Sequence, residues 1–171
     1  MNSLSTYIKQ RLNISLWSLL AVMLIALSLK DFSISLVQFY SLPFVILFLF
    51  IMRLFDDLAS AEIDKGKENR SYTTITTKKE LQKYLVTAQL ILLSTLAIFD
   101  IKRAMYLLAF FILNHFLYYV LFDISKFRYF LPLLKYPFII FLLSLKLSFI
   151  LVLVYCAVVL FEIMTDKTIL K

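Results

Sequence analysis

Long apolar runs separated by short charged breaks set the pattern of this chain. The runs cover about residues 14–29, 34–54, 85–99, 104–122 and 138–163. A helix needs roughly 20 apolar residues to cross a bilayer. The pattern therefore predicts five spanning helices, the first and third borrowing flanking residues such as Asn13 and Tyr84. Only helices and closed barrels satisfy every backbone polar group in lipid, and the alternating period of a barrel strand is absent. The expected fold is all-α, a polytopic transmembrane helical bundle forming one domain over 1–171, with a cytoplasmic loop at 64–83. Thr77 with Glu80 three residues later makes a capping-box pattern and predicts a helix start there. No internal repeat or low-complexity tract interrupts the plan.

The last run reads as one long, tilted span. Two crossings would need a turn near Ser144–Ser148, which has neither Gly nor Pro. A single crossing puts Glu162 and Asp166 in a solvated tail, opposite Asp57. At the other end, Lys9 and Arg11 precede an apolar run ending near Ala26-Leu27-Ser28, a leader-like arrangement. Four further apolar runs favour the first span of a bundle instead.

Composition agrees with this reading and removes the soluble classes. Hydrophobic residues make up 62% of the chain, with 17 Phe and 10 Tyr, and mean hydropathy is +0.89. The net charge of +7 follows from topology. With the N-terminus inside, Lys9, Arg11, Arg53, Lys65, Lys67, Arg70, Lys78, Lys79, Lys83, Lys126, Arg128 and Lys135 are cytoplasmic, while Lys30, Lys102 and Arg103 lie outside. No basic domain gathers these charges, so nucleic-acid binding is excluded. Cys156 has no partner for a disulfide or metal and reads as a small buried apolar residue.

Candidate chemistry concentrates in Arg53-Leu-Phe-Asp56-Asp57-Leu-Ala-Ser60-Ala-Glu62-Ile-Asp64, directly after the second run. Charges at membrane depth are rare and default to function. On a helix, Asp57, Ser60 and Asp64 share one face, with Arg53 a turn earlier. Hard oxygen ligands at that spacing suit Mg²⁺, which also takes phosphate oxygens and water. The alternative is a solvated helix end whose charges only stop the segment. The spacing leaves both readings open.

The order Asp56-Asp57-x-x-Ser60-x-x-x-Asp64, followed by Asn69-Arg70-Ser71-Tyr72, resembles the first aspartate-rich motif of the UbiA-type intramembrane prenyltransferases. The Arg53-Leu-Phe lead-in and the basic loop after the motif agree with that pattern, which extends from about residue 10 to about 160. Ser60 stands where the pattern has an aspartate, and Ser71 where it has a proline. The family has about nine spans and a second aspartate-rich motif, for which Phe161-Glu162-Ile163 through Asp166 is the best candidate remnant.

The resemblance implies a bundle around a cavity open to the cytoplasm and to lipid. It implies Mg²⁺ held by Asp56, Asp57, Asp64 and Ser60, with Asp57 and Asp64 as the catalytic pair. Arg53, Lys67 and Arg70 would then hold the diphosphate of an isoprenyl donor, for transfer to an aromatic or other lipophilic acceptor. A homo-oligomer or further chain would supply the missing half. The alternatives are a non-catalytic or degenerate membrane subunit of the same fold, and a small transporter. Elsewhere, His115 could touch an acceptor or act as a base, but Asn114-His115 and Gln89 read first as hydrogen bonds between helices. Lys146 could meet a diphosphate, snorkel, or pair with an acid such as Asp100. Most tyrosines, Tyr118 among them, read as an interfacial belt.

Overall fold

The computed structural model describes residues 3–11, 13–29, 41–64, 77–121 and 130–165, and every element among them is helical. These are α1 (Ser3–Arg11), α2 (Ile14–Ser28), α3 (Ser41–Asp64), α4 (Lys78–Phe99), α5 (Ile101–Leu121), a 3₁₀ turn (Leu131–Leu134) running into α6 (Lys135–Ser144), and α7 (Phe149–Thr165). Two of them, α4 and α5, are long and apolar enough to cross a membrane. Shorter apolar helices cover Ile14–Ser28, Leu131–Ser144 and Phe149–Met164.

Local chemistry explains the helix starts. Asn13 caps α2 by accepting from the Leu16 backbone N–H at 3.3 Å. The expected capping box opens α4: the Glu80 N–H donates to Thr77 Oγ1 at 3.3 Å, and the Thr77 N–H to the Glu80 carboxylate at 2.9 Å. Asp100 alone separates α4 from α5, and it accepts from the Arg103 N–H at 3.0 Å. That bond, strengthened by the guanidinium, holds the Asp100 carboxyl below its ordinary value. Helix α3 continues unbroken through the acidic stretch, so Asp57, Ser60 and Asp64 do share one helix.

Three aromatic rings centre the bundle. Phe110 of α5 and Phe138 of α6 stack with centroids 3.8 Å apart, and Phe48 of α3 lies 6.0 Å from each. Toward one end, Asp56 of α3 meets Tyr118 of α5 and Lys135 of α6. Toward the other, Arg103 of α5 meets the C-terminus of α6. Helices α3 and α5 thus run parallel, with α6 antiparallel to both.

The last apolar run is broken, which corrects the single tilted span. Helix α6 stops at Ser144, α7 begins at Phe149, and Leu145 takes left-handed geometry at φ 51°. Helix α7 folds back along α6, so Tyr155 and Val159 face Leu131 and Leu134. Glu162 is therefore carried back toward the end that holds Asp57. The turn is made from outside the segment. Arg103 donates through Nε to the Leu142 carbonyl at 2.9 Å and through a terminal nitrogen to the Leu143 carbonyl at 3.1 Å. These are α6 carbonyls that no later turn of helix can satisfy.

A left-handed non-glycine residue costs roughly 1–2 kcal/mol. Leu145→Gly is therefore expected to raise stability by about 1 kcal/mol, part of the relief being lost to the freer unfolded chain. Denaturant unfolding in mixed micelles measures it, and a lowered midpoint would contradict the left-handed turn.

Candidate functional site

The polar site lies where the C-terminal third of α3 meets α1, α5 and α6. Asp57 is only 1% exposed. The Tyr7 hydroxyl of α1 donates to its carboxylate at 2.7 Å, and Arg53, one turn earlier, approaches with Nε at 3.4 Å. The next residue, Asp56, points about 100° further round the helix and meets different partners. Lys135 of α6 donates from Nζ at 3.0 Å, and the Tyr118 hydroxyl of α5 donates to the other oxygen. Phe55 sits edge-on between the Tyr118 and His115 rings, centroids 4.6 and 4.5 Å away. The Lys135 ammonium also lies 5.5 Å above the Tyr136 ring.

Each carboxylate thus has its own cation and its own phenol, and the four charges sum to zero. Lys135 is 8% exposed, so its pairing replaces lost hydration. Taking two ions from water costs several kcal/mol each unless geometry and further hydrogen bonds return it. Here the phenols supply those further bonds, and charge-assisted bonds are the stronger kind.

Of the residues expected at a metal and diphosphate site, the structure brings together Arg53, Asp56 and Asp57. Ser60 stays on α3, but its hydroxyl donates to the Asp56 carbonyl at 2.8 Å, back-bonding to its own helix. The side chain of Asp64 lies outside the described residues, as do Lys67 and Arg70 and most of the 64–83 loop. Among the described residues no three His, Cys, Asp or Glu side chains converge. Magnesium is usually held by one or two carboxylates whose oxygens are free to bind it, with water and phosphate completing the shell. Asp56 and Asp57 diverge, and cations already occupy both. These described residues do not fit Mg²⁺.

Tyr7, Tyr118 and Lys135 are the members that sequence reasoning missed. Tyr118 reads as belt, and Lys135 as one more inward-facing charge. The available signal was the pair itself, because buried acids require cations. Several polar expectations are corrected as well. Asp100 pairs with Arg103 at 2.7 Å rather than with Lys146, which is exposed and donates its backbone N–H to Ser144 Oγ at 3.3 Å. Asn114 and Gln89 are buried, but Gln89 Nε2 and both Asn114 amide atoms lack hydrogen-bond partners among the described residues. His115 is exposed and contacts the Phe55 ring. Cys156 is exposed on α7 rather than buried.

Comparison of the chain with protein-family models, curated proteins and solved structures finds no match.

Proposed function

We propose that this chain is a non-catalytic helical membrane protein, its N-terminus and acid-rich helix end on the cytoplasmic side. In it, Asp56 and Asp57 fasten α1, α3, α5 and α6 together. One observation carries the reading: each acid of the adjacent pair meets its own cation and its own phenol, drawn mostly from other helices. Apolar packing gives little net drive between helices in lipid, where van der Waals fit and polar contacts hold spans together. A paired polar cluster at one end of the bundle supplies the orientation that leucines alone would not. The motif's likeness to the prenyltransferase pattern then describes an inherited helix end, with the metal role given up where Ser60 replaces the central carboxylate.

A second reading is favoured by the unbroken course of α3, which keeps Asp57, Ser60 and Asp64 on one helix. In that reading the helix end takes up Mg²⁺ and an isoprenyl diphosphate for transfer to a lipophilic acceptor. A second copy or further chain would complete the cavity.

Equilibrium binding of a non-hydrolysable prenyl thiolodiphosphate, with and without Mg²⁺, separates the two. No Mg²⁺-dependent binding is expected, with parent, Asp57→Asn and Asp64→Asn chains behaving alike. Binding that needs Mg²⁺ and disappears in both variants would replace the first reading with the second.

A further inference from the structure

We propose that the outward face of the bundle fits a bilayer with a hydrocarbon core of about 20–25 Å, and so selects shorter-chain phospholipids as its neighbours. The face is apolar on opposite sides, with Leu19 and Met23 of α2, Leu90 of α4, Ile112 of α5 and Val152 of α7 all exposed. Polar groups fix its height. Helix α2 has 15 residues, about 22 Å at the helical rise. Asn13 caps one end and Leu29 leaves the other as extended backbone. The last carbonyls of α2 therefore need water and cannot stand in hydrocarbon. On α7, Glu162 stands 13 positions after Phe149, the first helical residue, or about 20 Å. Even α4, with 22 residues, has only 17 positions between exposed Lys83 and Asp100, about 25 Å. On α5, Arg103 and the 88% exposed Tyr119 are 16 positions apart, about 24 Å, and tyrosine is a residue of the membrane interface.

A typical hydrocarbon core measures about 30 Å, and a sterol-rich one about 32–33 Å. All four helices fall short of both, and tilt shortens them further. Snorkelling lends little slack. Asp100 and Glu162 have short stems, and Arg103 is held by Asp100 and the α6 carbonyls, which leaves Lys83. The shortfall lies on more than one side of the bundle, because α2 and α7 pack on α6 while α4 packs on α3 and α5. A thicker bilayer must thin around such a body or cover its polar ends, and the cost grows with each Å of mismatch. Shorter chains avoid that cost. The inference rests on the membrane reading proposed above and is independent of the paired acids.

Trp17, the one tryptophan of the chain, is half-buried on α2 beside exposed Leu16 and reports neighbouring lipid through quenching by brominated acyl chains. The full chain is reconstituted in brominated dioleoylphosphatidylcholine mixed with the dipalmitoleoyl, dioleoyl or dieicosenoyl lipid of the same headgroup. Relief of quenching gives each lipid's relative affinity. The dipalmitoleoyl lipid is expected to bind roughly threefold more tightly than the dieicosenoyl lipid, with dioleoyl between them. Trp17→Phe with Val152→Trp moves the reporter to α7 and should return the same order. Trp17→Phe with Leu90→Trp moves it to α4. Adding Gln82→Leu and Lys83→Leu there lengthens the apolar face by about one turn and should shift the preference toward the dieicosenoyl lipid, which a mere loss of packing would not do. Equal affinities or the reverse order at Trp17 or at position 152, or a lengthened α4 whose preference stays put, overturns the proposal and leaves the membrane reading standing. A chain that floats with none of these vesicles overturns both.

Discussion

Replacing Lys135 by methionine is expected to destabilise the bundle by about 3–5 kcal/mol, the range for breaking a buried ion pair on one side. The size comes from what remains. Asp56 keeps the Tyr118 hydroxyl but loses the cation that offset its desolvation, with only 15% of its side chain exposed. Methionine matches the length of the lysine stem, so packing changes little and electrostatics dominate. The companion variant Asp56→Leu/Lys135→Met removes both charges and should recover most of the loss, since apolar residues of similar volume replace buried pairs at little or no cost. Denaturant unfolding in mixed micelles gives both values, and the coupling between the two sites is their departure from additivity. A loss under about 1 kcal/mol for Lys135→Met would place the pair with ordinary surface salt bridges. A double variant as unstable as the single one would show that Asp56 and Lys135 do not act together.

How legible the molecule was in its sequence depended on the range of the interaction. Thr77 and Glu80 are three residues apart, and the capping box they spell is the one that forms. The apolar runs at 85–99 and 104–122 became α4 and α5 with only their ends moved, because composition and helical hydrogen bonding are local. The acidic pair was visible as a place where something must happen. What happens was not, because Lys135 stands 79 residues from Asp56 and no spacing rule links them.

The break at Leu145 failed to register for the same reason. Turn chemistry inside 144–148 is poor, and the stabilising donor is Arg103, 39 residues upstream of the carbonyl it caps. Tertiary contact there overrides the local preference that argued for one continuous helix. Asn114 and Gln89 mark a further limit. Polar residues within an apolar run predict a hydrogen bond between helices, but not whether side-chain geometry will deliver one.

Tyr7→Phe is expected to release α1 and to speed tryptic cleavage after Lys9 or Arg11 by roughly 10- to 100-fold. Helix α1 has nine residues, below the about 12–15 that an isolated helix needs in water, so it depends on contacts with the bundle. Tyr7 supplies the central one: it is 1% exposed, and its hydroxyl donates to the buried Asp57 carboxylate. A hydrogen bond to a charged group contributes about 1.5–3 kcal/mol, which sets the expected change in the open population at one to two decades. The phenylalanine keeps the edge contact with Phe50, whose ring lies 6.3 Å away, so an unchanged cleavage rate would assign α1's attachment to the ring instead of the hydroxyl. The assay also separates the two readings of the acids. If Asp57 serves only as Tyr7's acceptor and Arg53's partner, Mg²⁺ leaves the parent rate unaltered. If Asp57 is a metal ligand, Mg²⁺ competes with Tyr7 for the same oxygens, and the parent chain is cut faster in its presence while Asp57→Asn ceases to respond.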